Sequence, residues 1–214
     1  MAGAHIPPTR SELGHSPAGP DVPGKRGRPR SEEADRAILS AATELLAERG
    51  LGGLSMEEVA ARAGVSKATV YRRWGSRGAL ALDAFLAEFS RQQPLPDTGT
   101  FHGDLLAALR GGIRSVTRTP AGRMLAGLVA EAQRDPAIAA AWRERVLEPL
   151  RASNTTLVRR AVDRAEIPAG TDADVVLDLL FGSAYHRLLQ GHRPLTDQFA
   201  RRVVDLIVAG VTAI

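Results

Sequence analysis

From residue 31 to its end the chain repeats apolar residues at the three-and-four spacing of a helix, and no segment alternates as a strand does. Ile38, Ala41, Ala42, Leu45 and Leu46 are the first such face. This periodicity, interrupted by glycine and proline, confines the 214 residues to an all-α fold of about nine helices. Composition agrees. Apolar residues make up 44 % and aromatics only 4 %, so the core must be built mostly from Ala, Leu and Val. The absence of cysteine excludes disulfides, thiolate chemistry and Cys-ligated metal sites. No stretch longer than 9 residues lacks a charged side chain, so no membrane-spanning helix is expected. The first thirty residues hold no apolar run that would serve as a signal peptide. A cytoplasmic protein with no membrane partner is the expectation.

Residues 1–30 carry 5 Gly and 6 Pro with few large aliphatics, and cannot bury enough surface to offset their ordering entropy. They read as a disordered basic arm. A first domain is expected over 31–91 and a second over 100–214, with the loop 94–99 between them. Ser31 is the expected N-cap of the first helix, with Glu32, Glu33 and Asp35 in its first turn. Gly50, Gly52 and Gly53 stop it. Ser55 to Glu58 forms a capping-box pattern that opens a short second helix. Ser66 caps a third, and a fourth runs over 77–91. Farther on, Pro136 begins a helix expected to reach about residue 165, kinked by Pro149 through loss of the bond to the Arg145 carbonyl. Thr171 and Thr196 are the expected caps of the last two helices.

The segment 55–74 reads helix, Ala63-Gly64-Val65-Ser66 turn, helix. Val59, Val65, Val70 and Trp74 are expected to form its small core. From Arg62 to Arg77 there are five bases, Arg62, Lys67, Arg72, Arg73 and Arg77, and no acid. A second block, Lys25-Arg26-Gly27-Arg28-Pro29-Arg30, holds four more. The net charge of +4 says little, but outside these blocks acids outnumber bases, 24 against 19. Basic blocks of this kind suit phosphate neutralisation, and equally suit a solvated helical hairpin.

The same region resembles the tetracycline-repressor (TetR-type) family of bacterial regulators. The resemblance runs through Ile38-Leu39-Ser40-Ala41-Ala42, Leu45-Leu46, Arg49-Gly50, Leu54-Ser55-Met56, Val59-Ala60, Ala63-Gly64-Val65-Ser66, Thr69-Val70-Tyr71 and Trp74-Gly75-Ser76-Arg77. The family usually has Phe where Trp74 stands and Lys-Glu near Arg77-Gly78. Arg77 keeps the charge, whereas Gly78 is expected to weaken the start of the fourth helix. The resemblance implies that the third helix enters the major groove of double-stranded DNA. Lys67 and Thr69 are then placed toward base edges, Tyr71 toward a phosphate and a thymine methyl, and Arg72 toward a phosphate or guanine. Ser55 and Ser66 offer hydroxyls to phosphates, and Arg77 matches the family's phosphate-binding Lys. In the arm, Arg26 and Arg28 resemble the core of an AT-hook, which enters narrow minor grooves.

For the C-terminal half the resemblance implies a helical ligand-binding and dimerisation domain. Phe85, Phe89, Met124, Leu125, Leu128, Trp142, Phe181 and Tyr185 are candidate pocket residues, and Glu131 a candidate contact for a cationic or hydroxylated ligand. Val176, Leu179, Leu180, Ser183, Val203 and Ile207 on the last two helices are candidates for a four-helix homodimer interface. His186 and His192, six apart, do not share a helical face, so no metal site is expected, nor any cofactor. The function so implied is a homodimeric transcriptional repressor on a palindromic operator, released by a small-molecule effector. Its rivals are a sequence-tolerant DNA-architectural protein and a helical enzyme. For the enzyme no nucleophile elbow, phosphate loop, His-Glu metal box or paired-carboxylate cluster is present.

Overall fold

The computed structural model describes residues 28–89 and 94–213, and every regular element among them is helical. In chain order these are α1 Arg28–Arg49, a 3-10 turn Leu51–Gly53, α2 Met56–Arg62, α3 Lys67–Arg73, α4 Arg77–Phe89, α5 Phe101–Arg118, α6 Ala121–Ala132, α7 Pro136–Trp142, a π turn Arg143–Leu147, α8 Glu148–Asp163, α9 Ala173–Gln190 and α10 Asp197–Thr212. The π turn joins α7 to α8 without leaving the helix, so the described residues form nine rods.

Most of the expected starts hold. Ser55, Ser66, Asp135 and Thr196 each cap a helix, their side-chain oxygens accepting backbone N–H groups of the first turn. Three of the expected helix starts need correction. Helix α1 begins at Arg28, so Ser31 lies within it and the last three residues of the arm 1–30 are helical. Pro29 tolerates this, because a first-turn N–H has no helical acceptor to lose. The cap of α9 is Asp172 rather than Thr171; its carboxylate takes the Asp174 N–H at 2.9 Å and that of Val175 at 3.2 Å. The capping box at Ser55 is only half made. The Ser55 hydroxyl receives the Glu58 N–H, but the Glu58 carboxylate turns away to Arg49 at 2.8 Å.

Two cores carry the molecule. One joins α1–α4 to α6: Ile38, Leu45, Leu46, Val59, Val70, Leu80 and Phe85 meet Met124, Leu125 and Leu128. Burial of each large side chain contributes roughly 2 kcal/mol. The second joins α5, α8, α9 and α10 through Leu105, Leu109, Leu157, Leu180 and Val204. Helix α6 comes so near the 3-10 turn that a Cβ on Gly127 would lie 2.9 Å from that of Leu51, and Arg123 donates to the Ala47 carbonyl at the end of α1. Gly78, in the first turn of α4, serves a comparable purpose. Its missing Cβ leaves room for Ile138 of α7, which would otherwise stand 3.0 Å away. The residue expected to weaken α4 is therefore the point where α7 seats on it.

Candidate functional site

At one end of the molecule α2 and α3 meet across a tight turn. Gly64 takes a φ of 67°, which a side chain would strain, and Val65 N–H closes the turn on the Ala60 carbonyl at 3.0 Å. Val59 and Val70 are fully buried and Trp74 nearly so, as their spacing implied. Their burial fixes which face of α3 points outward: Lys67, Ala68, Tyr71 and Arg72 are exposed, Tyr71 by 45 %. Ala68, which the sequence reading passed over, sits in the middle of this face. Thr69 is half-buried and its hydroxyl bonds that of Ser66 at 2.8 Å, so it is partly committed to the cap.

The five bases of 62–77 fare differently. Arg62 reaches Glu48 at 2.9 Å, with Glu44 and Glu58 also near it, and these carboxylates hold its pKa above the ordinary value. Arg73 pairs with Asp35 of α1. Lys67 pairs with Glu57 while its ammonium lies 5.6 Å from the centre of the Tyr71 ring. Glu57 also accepts from the Ser55 hydroxyl at 3.0 Å; the Lys67 bond above all, with its own backbone and the Ser55 bond, pulls its pKa down to about 2. Arg72 and Arg77 make no ion pair among the described residues and are exposed. The acid-free run in sequence is thus not acid-free in space. Arg26 lies outside the described residues, as does the side chain of Arg28.

A cavity of about 1370 Å³ opens between α4, α5, α6, the π turn and α9. Of the candidate pocket residues Phe85, Leu125, Trp142, Phe181 and Tyr185 line it. Met124 and Leu128 do not; they are buried in the first core, because α6 turns that face toward α1 and α4. Glu131 is also absent from the wall and lies beside Gly78. The side chain of Phe89 falls outside the described residues. Burial pushes the Tyr185 phenol up to about 12. Sequence reasoning missed much of the wall: Ala107, Ala108, Gly111 and Gly112 of α5, whose small size makes the space, and Arg114, Arg118 and Asn154.

A polar connection runs between the cavity wall and the α3 end. Trp142 lines the cavity and packs on Phe85, ring centres 5.4 Å apart. Three residues on, Arg145 reaches Asp83 of α4 at 2.8 Å. The other Asp83 oxygen accepts the Trp74 indole N–H, also at 2.8 Å, at the C-terminal end of α3.

The dimer candidates divide. Val176, Leu180 and Ile207 are buried within the chain's own core, Val203 packs against it half-buried, and Ser183 is half-buried with its hydroxyl on the Leu180 carbonyl at 3.0 Å. Only Leu179 is exposed, by 56 %, together with Val175 and Leu206. The outward stripe is one residue, about 100°, from the expected one. His186 and His192 are brought to a ring separation of 5.0 Å, because Gly191 at φ 62° turns the chain back beside α9. No group of three or more His, Cys, Asp or Glu suited to a metal occurs among the described residues, and none of their helices is long and apolar enough to cross a membrane.

Comparison with known proteins places this geometry. Residues 38–84 match the model of the bacterial regulatory proteins of the tetR family, and residues 95–207 that of the tetracyclin repressor-like C-terminal domain. The HTH-type transcriptional regulator YdeS of Bacillus subtilis is 34 % identical over 189 residues, 88 % of this chain and 95 % of the relative. The DNA-binding transcriptional repressor TetR of Mycobacteroides abscessus is 32 % identical over 82 % of this chain and 92 % of its own length. The crystal structure of the TetR family transcription regulator SCO0332 superposes with a TM-score of 0.70 at 39 % identity, covering 84 % of this chain and 98 % of that one. With both halves matched and relatives aligned over most of their length, the chain belongs to the TetR family and is a DNA-binding transcriptional regulator.

Proposed function

We propose that the protein is a repressor that holds a palindromic operator as a homodimer and releases it when a small molecule fills the cavity. The observation that carries the DNA half is the outer face of α3. A tyrosine, a lysine and an arginine that makes no ion pair among the described residues stand exposed there, with buried Val70 behind them. Tyr71 offers a ring and a hydroxyl, Arg72 a bidentate donor, and Ala68 a methyl for close approach to thymine. Arg77 adds a cation for the backbone. Exposed Val175, Leu179 and Leu206 support the dimer, which would set two α3 helices on half-sites about 34 Å apart. A relative described as a DNA-binding transcriptional repressor supports the sense of regulation. Such a protein acts in the cytoplasm, where bacterial DNA lies.

Release requires an effector that binds better to the form unable to span the half-sites. The Trp142 ring and Arg145 belong to the same stretch of helix, and Arg145 bears on Asp83 and through it on Trp74. A ligand that displaces Trp142 thereby bears on α4 and the end of α3. The test is selection of bound duplexes from a random library, followed by titration of the selected site. Tyr71→Ala and Lys67→Ala should each weaken specific binding by roughly 1–3 kcal/mol, with helical content unchanged. Full affinity in both variants would refute α3 as the reading element.

A further inference from the structure

The cavity is apolar over most of its wall, yet its charged members are unbalanced. Arg110, Arg114, Arg118 and Arg151 face it against two acids, Glu88 and Asp178. Two of the four arginines are already spoken for. Arg110 is paired with Asp197 at 2.5 Å, and Arg151 with Asp174 and Asp178, both at 2.6 Å. Arg114 and Arg118 make no ion pair among the described residues. Both are exposed while lining the wall, which sets them at the mouth. They are four residues apart on α5, one helical turn, so their guanidinium groups lie within reach of a single acidic group.

We propose that the cavity takes an amphiphilic organic anion, its apolar body inside and its carboxylate or phosphate between Arg114 and Arg118. The proposal rests on the reading of this cavity as the effector site and adds the class of effector. Phe85, Trp142, Val146, Phe181 and Leu188 furnish an apolar wall for a chain or fused-ring body. The space beside α5 exists because Gly111 and Gly112 bear no side chains. A Cβ on Gly111 would have nothing nearer than the Arg114 guanidinium at 4.0 Å, and one on Gly112 would meet only Phe181 at 3.8 Å. Like charges on successive turns repel, and an anion between them relieves that repulsion. A lipophilic cation has no comparable partner. Asp178 is committed to Arg151, Glu88 likewise is not free, and Glu131, the carboxylate that the sequence offered for a cation, does not line the cavity.

The experiment is calorimetric titration of the full chain with decanoate, decanol and decylammonium, which share a tail and differ in head. Decanoate should bind about tenfold or more tightly than decanol, and decylammonium weakest. In Arg114→Gln/Arg118→Gln, decanoate should fall to the level of decanol while decanol is unmoved. Equal binding of decanoate and decanol, untouched by the double variant, would overturn the anion and leave an apolar effector cavity standing. Preference for decylammonium would overturn the assigned sign. Binding of none of the three would remove the cavity as a ligand site, and the proposal with it.

Discussion

At the scale of single residues, the site is governed by carboxylates that sequence distance conceals. The burial of Val70 and the exposure of Tyr71 were legible because helical period alone decides them. The fates of Arg62 and Arg73 were not, since Glu48 and Asp35 lie 14 and 38 residues away and arrive only through the packing of α1. Lys67 sits between the two cases. Glu57 holds it in the free protein, and on the proposed reading of α3 must yield it to DNA. Glu57→Gln should therefore strengthen DNA binding and steepen the slope of log K against log salt by about one unit, measured by fluorescence anisotropy at several salt concentrations. The same pair has an acid signature. Because the Glu57 pKa falls from 4.5 to about 2, its stabilising attraction is fully present above 4.5 and disappears as pH drops toward 2. The variant should lose less stability than the parent across that window in urea titrations, and an identical loss would show the pair to be without weight.

At the scale of elements, the π turn is the feature that pattern reading could not supply. Pro149 was expected to kink one long helix by withdrawing a donor from the Arg145 carbonyl. The chain instead widens by a residue just ahead of it, with the Glu148 N–H bonding the Arg143 carbonyl. Pro149 marks the place, but apolar spacing on either side is unchanged in kind, so nothing there tells a widened turn from a kink. Gly78 carries the matching lesson for α4: low helix propensity was visible, and the Ile138 side chain that exploits it was not. Gly78→Val should cost about 1–3 kcal/mol by crowding Ile138, read from the urea midpoint. In an Ile138→Ala background, where the crowded side chain is gone, Gly78→Val should cost less than in the parent. A Gly78→Val protein as stable as the parent would mean that α7 does not bear on α4.

At the scale of the whole molecule, helix number and order were legible from period and punctuation, while the facing of α9 and α10 was not. Leu179 and Leu180 are equally apolar neighbours, and only the packing of α5 and α8 decides which turns inward. Leu179→Glu combined with Leu206→Glu should yield a folded monomer by sedimentation, with circular dichroism unchanged and operator affinity much reduced. A dimer that survives both charges would place the interface elsewhere.

The first core takes Met124, Leu125 and Leu128 from beyond the 94–99 loop. The point where sequence most plainly divides is therefore not where the molecule can be cut. A chimera that exchanged DNA-reading heads between two such regulators at that loop would strip each head of its own α6 and give it a stranger's. Recombination that preserves both folds must carry the 121–132 helix along with the head, or exchange its contact residues as a set.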